Sequence, residues 1–538
     1  MMLQLQQFLF ESNPTRSELL DYCSALEHPK YRISVYRNHS FELIEHTIVP
    51  YLDYAEMSVE FIYSDYDDSL SFFDLDKSTD MIILWLDLSR YHLEDVHSFL
   101  CERLDYLSHI YTKPILVIPF AGNFSVQGDR IVCYDLTPLE QELGNRYLDK
   151  RMERFSGTKM SAAACMAVSK QLGLRYIPAL LRPTLKAIVV DLDNTLYQGV
   201  LGEDGIAKLQ LTEGHKKLQQ QLKLLASEGI FLCVASKNDE RDVTELFKQR
   251  EDFPLRNSDF TKVCANWNDK AQSIKEIAHF LNIHPDSILF IDDNIGELSA
   301  VASVFPQIKL IHALEDAEIT CEILRFFPGL LRLHAQKEDQ LRKNDVQANE
   351  MRQRMRASLS PRDYIRSLEM KLLFCLNNFE QATRVAELAN KTNQFICSYR
   401  RYGFADIIEL MKSPDAVVIT ASLSDKLSDS GIVGVCVALK REQYVEIDEC
   451  FVSCRALGRG IDEILVLGMI RCALEHFRCG YLKMDFVNGE RNEPAKRFVQ
   501  MYLEGYLQNP QLFNYQIPNG LIEIQIVKNA EMENANGR

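Results

Sequence analysis

Between residues 185 and 313 four short apolar runs recur: LKAIVV, IFLCVAS, SILFIDD and IKLIHA. Stretches with helical spacing separate them, such as Leu218, Leu222 and Leu225. Runs this short and this apolar read as strands buried on both faces, with crossover helices covering them. The alternation confines residues 181–330 to a doubly wound α/β domain with a parallel, Rossmann-like sheet. In such sheets ligands bind outside the carboxyl ends of the strands. The polar residues that end the runs are therefore the first candidates for chemistry.

Four clusters lie at those ends. Asp191 and Asp193 close the first run in DLDNT, Ser236 closes the second in CVASKND, Lys270 opens a helix after CANWND, and Asp292 and Asp293 close the third in LFIDDN. Each alone has an ordinary explanation: a turn, a helix cap, a surface lysine or a solvated strand end. Together they define a site. Four carboxylates on one rim repel one another unless a cation joins them. Oxygen-only ligands suit Mg²⁺, so Asp191, Asp193, Asp292 and Asp293 are the expected metal set. Ser236 and Lys270 are placed to bind a phosphate. Asp191 is the expected nucleophile, forming an aspartyl-phosphate, and Asp193 the acid and base.

The rest of the 538-residue chain is too long for one core. Residues 1–180 repeat the alternation with ISVY, VEFIY, MIILWLDL and PILVIPF. Residues 331–360 read as a charged, solvated connecting helix, and 361–528 mix helices with antiparallel strands; 529–538 form a polar tail. The net charge of −16 argues against a nucleic-acid binder. The 14 cysteines include no C-x-x-C pair, which suits reduced thiols in a cytoplasmic protein. The first residues have neither a basic n-region nor a long apolar stretch, so neither a leader nor a membrane segment is expected there.

D-x-D-x-T, a strand-end Ser, a Lys and a terminal D-D resemble the signature of the haloacid dehalogenase superfamily. DLDNTLYQGVLGEDG, SKNDE, DF…W…K and FIDDN…E are closer still to the FkbH-like family, over nearly the whole chain. The resemblance implies loading of a three-carbon unit from 1,3-bisphosphoglycerate onto an acyl carrier protein, with loss of phosphate, in polyketide or related secondary metabolism. It also implies a region like an SGNH hydrolase at the N-terminus, where Ser40 reads as a helix N-cap rather than a nucleophile beside His39, and the domain as non-catalytic. Two positions depart from the family. Many members have W-G-G-V where this chain has Tyr197-Gln198-Gly199-Val200, and some have a Cys where it has Ala235, with Cys233 two residues earlier.

In the third block CRALGRG lies between a strand and a helix. Arg455, Gly458 and Gly460 would let backbone N–H groups at a helix N-terminus approach a pyrophosphate. The loop resembles that of GNAT-type acetyltransferases, as does the later NEPAKRFVQMYLEGY, and NKTNQF precedes both. The resemblance implies a groove for coenzyme A or for the phosphopantetheine arm of a carrier, although no general base is evident. The expectation is thus a three-domain α/β enzyme with a Mg²⁺ phosphatase and glyceryl-transfer site. The alternatives are a small-molecule phosphatase without acyl transfer, and a scaffold that binds a carrier protein or coenzyme A.

Overall fold

The computed structural model describes residues 2–528 apart from 25–26, 67–68, 127, 129, 150, 152, 334–336, 393, 454, 458, 490–491, 510–512 and 518–519. The chain divides into two compact units. The first is Met1–His279 with His284–Ala335, and the second is Gln336–Arg538 with Phe280–Ile283.

Two parallel sheets build the first unit. Strands β1 (Lys30–Arg37), β2 (Ser58–Tyr66), β3 (Met81–Asp87), β4 (Ile115–Phe120) and β5 (Ile131–Cys133) lie in the order β2-β1-β3-β4-β5. Strands β6 (Ala187–Val190), β7 (Phe231–Ser236), β8 (Lys262–Ala265), β9 (Ile288–Asp292) and β10 (Lys309–His312) lie in the order β10-β9-β6-β7-β8. Every residue of β3, β4, β6, β7 and β9 is buried, which is why these segments are unbroken apolar runs rather than alternating ones. The helix Glu213–Ser227 starts where the Thr212 side chain accepts from the His215 N–H, and it turns Leu218, Leu222 and Leu225 into the core. Strand β8 escapes a reading of apolar runs because KVCA is only four residues long and begins with Lys262.

The second unit carries one mixed sheet. Strands β11 (Lys371–Leu376), β12 (Ala416–Ser424), β13 (Asp429–Lys440), β14 (Val445–Val452), β15 (Leu482–Met484) and β16 (Glu523–Lys528) lie in the order β15-β14-β13-β12-β11-β16. The pairs β14–β15 and β11–β16 are parallel and the others antiparallel. The helix Lys337–Ser358 is not a solvated connector in its described part. Asp345 and Arg352 are buried, and Asp345 meets Arg352 at 3.1 Å and Arg459 at 2.6 Å. Opposite charges tolerate burial here because each has a partner. No helix of the described residues is long and apolar enough to cross a membrane.

Candidate active site

The middle sheet reverses direction at β6. The chain runs from β6 out to β7 and β8, then returns to β9 and β10 on the other side. This switch point leaves a crevice at the carboxyl ends of β6 and β9. Asp191 follows β6 and its N–H donates to the Ile291 carbonyl at 2.9 Å. Asp292 ends β9, and its Oδ1 accepts from the Asn294 N–H at 2.9 Å. Asn294 then caps the helix Ile295–Val304 with its side-chain oxygen.

Lys270 opens the helix Lys270–Leu281 and is 5% exposed. Its Nζ lies 2.9 Å from Asp191 Oδ2 and 2.5 Å from Asp292 Oδ2. Carboxylate oxygens of Asp191, Asp292 and Asp293 lie within 4.8 Å of one another. Burial, opposed by Lys270, raises the pKa of Asp191. Burial first, and then the charge of Asp191, push Asp292 up to about 7. Burial also raises Asp293. Desolvation works against the Lys270 charge, yet Asp191 and Asp292 outweigh it and its pKa rises. One lysine therefore holds two carboxylates, and a third stands beside them.

The Oδ1 atom of Asp191 is buried, and no donor reaches it with hydrogen-bond geometry among the described residues, with Ser236 alongside. A buried acceptor in that state is expensive to keep unless it serves a ligand. The three carboxylates, Asp191 among them, offer the oxygen ligands that fit a hard divalent cation such as Mg²⁺.

Asp193 was expected among the metal ligands, but its carboxylate turns elsewhere. Its Oδ1 accepts from the Tyr197 hydroxyl at 2.7 Å and from the Leu201 N–H at 3.0 Å, and its Oδ2 accepts from Asn238 Nδ2 at 2.9 Å. The same Asn238 amide donates to Ser236 Oγ at 3.0 Å. Asn238 thus ties the phosphate-binding candidate Ser236 to the acid–base candidate Asp193. Sequence reasoning passed over Asn238, although it lies inside the SKNDE motif, and marked Tyr197 only as a departure from the family pattern.

The stretch after Asp193 folds into a small flap. Asn194 Oδ1 accepts from the Gly199 N–H at 3.0 Å, and Gln198 and Gln210 exchange backbone hydrogen bonds at 2.9 and 3.0 Å. Gly199 has φ of +114°, and a Cβ there would come within 3.0 Å of Leu209, so glycine is required. Trp267, three residues before Lys270, is 74% exposed and belongs to no core. Cys233 is fully buried in β7, and burial raises its thiol pKa far above the usual range. It packs as a core residue, like Ala235 on the same strand.

The other expected residues lie elsewhere. In the first sheet His39 is buried between Trp85 and Phe120, with ring centroids 4.6 and 5.4 Å away, and its Nδ1 sits 3.0 Å from Thr158 Oγ1. Ser40 Oγ donates to Glu42 at 2.6 Å, so the two adjacent residues make no nucleophile–base pair. Nor does Ser40 cap the following helix, where Phe41 holds the cap position. In the second unit Arg455 is buried and Gly460 has φ of +78°, while Gly458 lies outside the described residues.

No protein-family model matches this chain, and no curated protein does. Among solved structures, the N-terminal part of protein BF1531 from Bacteroides fragilis, containing a phosphatase domain and complexed with Mg, is similar at 20% identity and a TM-score of 0.46. It covers 59% of this chain and 100% of its own. A putative HAD family hydrolase from Streptomyces avermitilis MA-4680 is similar at 15% identity and a TM-score of 0.21, covering 27% of this chain and 92% of its own.

Proposed function

We propose that the crevice at the ends of β6 and β9 is a Mg²⁺-dependent phosphoryl-transfer site with Asp191 as nucleophile. The observation that carries this reading is the buried, unpartnered Oδ1 of Asp191 beside Lys270 and two further carboxylates. Asp191, Asp292 and Asp293 would hold the ion, which would neutralise the cluster and a substrate phosphate. Lys270 fixes Asp191 through Oδ2 and leaves Oδ1 to attack phosphorus. The P–O bond to the substrate breaks as the Asp191–P bond forms, and Asp193 supplies a proton to the leaving oxygen. Water then attacks phosphorus, Asp193 takes its proton, and inorganic phosphate leaves with Asp191 restored. Ser236 donates to a phosphate oxygen, and Asn238 and Tyr197 orient Asp193.

The FkbH-like resemblance narrows the substrate. We read the reaction as glyceryl transfer from 1,3-bisphosphoglycerate to the thiol of an acyl carrier protein, coupled to dephosphorylation, in the cytoplasm. The thiol displaces phosphate from the acyl phosphate carbonyl, and the remaining phosphate ester is removed at Asp191. The buried Cys233 and the Ala235 beside it favour direct transfer over an enzyme-bound thioester, and they keep a second reading open, a small-molecule phosphatase without acyl transfer.

The protein is incubated with Mg²⁺, 1,3-bisphosphoglycerate and phosphopantetheinylated carrier, and the carrier mass is read. A glyceryl adduct that disappears with Asp191→Asn is expected. Phosphate release without an adduct selects the second reading. Neither product refutes phosphoryl transfer with this substrate.

A further inference from the structure

Strands β14 and β15 pair in parallel only from Val445–Ile447 against Leu482–Met484, and then part. A slot between parting strands has backbone donors and acceptors on both walls, which suits an extended ligand such as a pantetheine arm. Here the chain itself fills it. Ile396 bridges Phe451 in antiparallel sense, and the Val452 N–H donates to the Phe395 carbonyl at 3.1 Å. Strand β13 occupies the other edge of β14, so Phe395–Cys397 lie on the β15 side. The second wall is engaged as well. Val487, on the chain leaving β15, donates its N–H to the Cys397 carbonyl at 2.9 Å.

Two buried side chains clamp the insert. Glu449, with 0% exposure, accepts from the N–H groups of Cys397, Ser398 and Arg400 at 2.7, 2.9 and 2.8 Å, and from Cys450 at 2.9 Å. Asn492, also with 0% exposure, donates to the Ile396 and Val487 carbonyls at 3.0 and 2.9 Å. Asn492 begins the NEPAKRF segment that resembles an acetyltransferase helix, but here it fastens the insert.

Among the described residues of the loop expected to hold a pyrophosphate, the Ala456 and Arg459 N–H groups donate to the Ser453 and Ala456 carbonyls at 3.0 and 3.4 Å. Arg459 is buried and paired with Asp345 at 2.6 Å. The helix Asp462–His476 opens with Asp462 and Glu463 in its first turn. Two carboxylates already complement the positive end of that helix, and a pyrophosphate there would meet like charge. The residues present do not fit coenzyme A.

We infer that residues 395–398 are a built-in chain segment that takes the place of an extended ligand between β14 and β15, so that the second unit binds neither coenzyme A nor a pantetheine arm and supplies no acyl-transfer chemistry. This goes beyond the phosphoryl-transfer reading, which concerns the middle sheet alone. Amide hydrogen exchange on the full chain tests it, with coenzyme A and pantetheine as probes at up to about 1 mM, a range that reveals even millimolar dissociation constants. The expected result is that the amides of Cys397, Ser398 and Arg400 exchange as slowly as those of β14, and that neither probe alters exchange across 394–403, 448–463 or 485–492. Fast exchange at those three amides, or a saturable change in any of those segments with either probe, overturns the inference.

Discussion

Tyr197 donates its hydroxyl to Asp193 Oδ1 at 2.7 Å from a fully buried ring that stacks on Phe253 with centroids 5.8 Å apart. Burial, reinforced by the Asp193 carboxylate, raises the Tyr197 pKa far above the usual phenol range, so the hydroxyl stays a donor. Tyr197 thus reaches Asp193 through oxygen.

Tyr197→Phe removes that donor and keeps the ring. The buried bond contributes about 1 kcal/mol to stability, and losing it frees Asp193 to rotate. A roughly tenfold fall in kcat with little change in KM is expected, since the role proposed for Asp193 is on the leaving oxygen rather than in ground-state binding. Steady-state phosphate release and a thermal melt measure both effects.

Lys270→Met leaves Asp191 and Asp292 buried without their shared cation. Breaking a buried ion pair from one side costs about 3–5 kcal/mol. Without added metal the melting temperature should fall steeply, and millimolar MgCl₂ should restore part of it by neutralising the carboxylates. Activity should fall at least about a hundredfold with or without Mg²⁺, because Lys270 also fixes Asp191, the proposed nucleophile. A variant that melts like the wild type in the absence of metal would contradict the pairing.

Trp267→Ala removes an exposed ring that packs against no core, so stability should change by less than about 0.5 kcal/mol. If the ring closes over the bound substrate, KM rises by about tenfold while kcat holds. Unchanged KM for every phosphorylated substrate tested would exclude Trp267 from recognition.

His39 gives the first unit a dependence on acid. Burial lowers its pKa to about 3, while an unfolded histidine titrates near 6.5. Between those values the unfolded chain binds a proton that the folded chain refuses. Stability is complete above about pH 6.5 and is lost as pH falls toward 3. His39→Phe keeps an aromatic ring between Trp85 and Phe120, so the difference in melting temperature between about pH 7.5 and about pH 5 should shrink.

Asp345→Ala leaves the buried Arg352 and Arg459 with one carboxylate, Asp425, between them in the second unit. A loss of about 3–5 kcal/mol is expected, together with faster proteolysis near the helix Lys337–Ser358. A surface connector would tolerate the change, so the cleavage pattern separates the two pictures.

Strands β3, β4, β6, β7 and β9 were legible because burial on both faces leaves uninterrupted runs such as MIILWLD and AIVV, whereas the short, partly exposed β5 and β8 were not. Asp191, Lys270, Asp292 and Asp293 were legible for a related reason: polar residues at the ends of such runs converge at the switch point. The direction of each carboxylate was not. Asp193 sits two residues from Asp191, but whether it faces a metal or a tyrosine depends on the flap, whose path is set by Gly199 and Asn194. The helix Lys337–Ser358 looked solvated because its charges alternate in sign, and nothing local marks that Asp345 and Arg352 meet partners as distant as Asp425 and Arg459. Of the segment Phe395–Cys397 only Phe395 fell within a quoted motif, NKTNQF, and only the register of β14 and β15 reveals where the segment lies.

Gln6 and His312 exchange a side-chain amide for a backbone pair: Gln6 Nε2 donates to the His312 carbonyl at 3.0 Å, and Gln6 Oε1 accepts from the His312 N–H at 3.1 Å. One glutamine thereby acts as a one-residue strand on the open edge of β10. His312 Nε2 in turn lies 3.0 Å from the Asp293 carbonyl, beside the acidic cluster. The two partners are separated by 306 residues. At a synthesis rate of about 5–20 residues per second, Gln6 waits roughly 15–60 s on the ribosome before its partner exists. The open edge of β10 is therefore sealed late in synthesis, by a side chain made long before it.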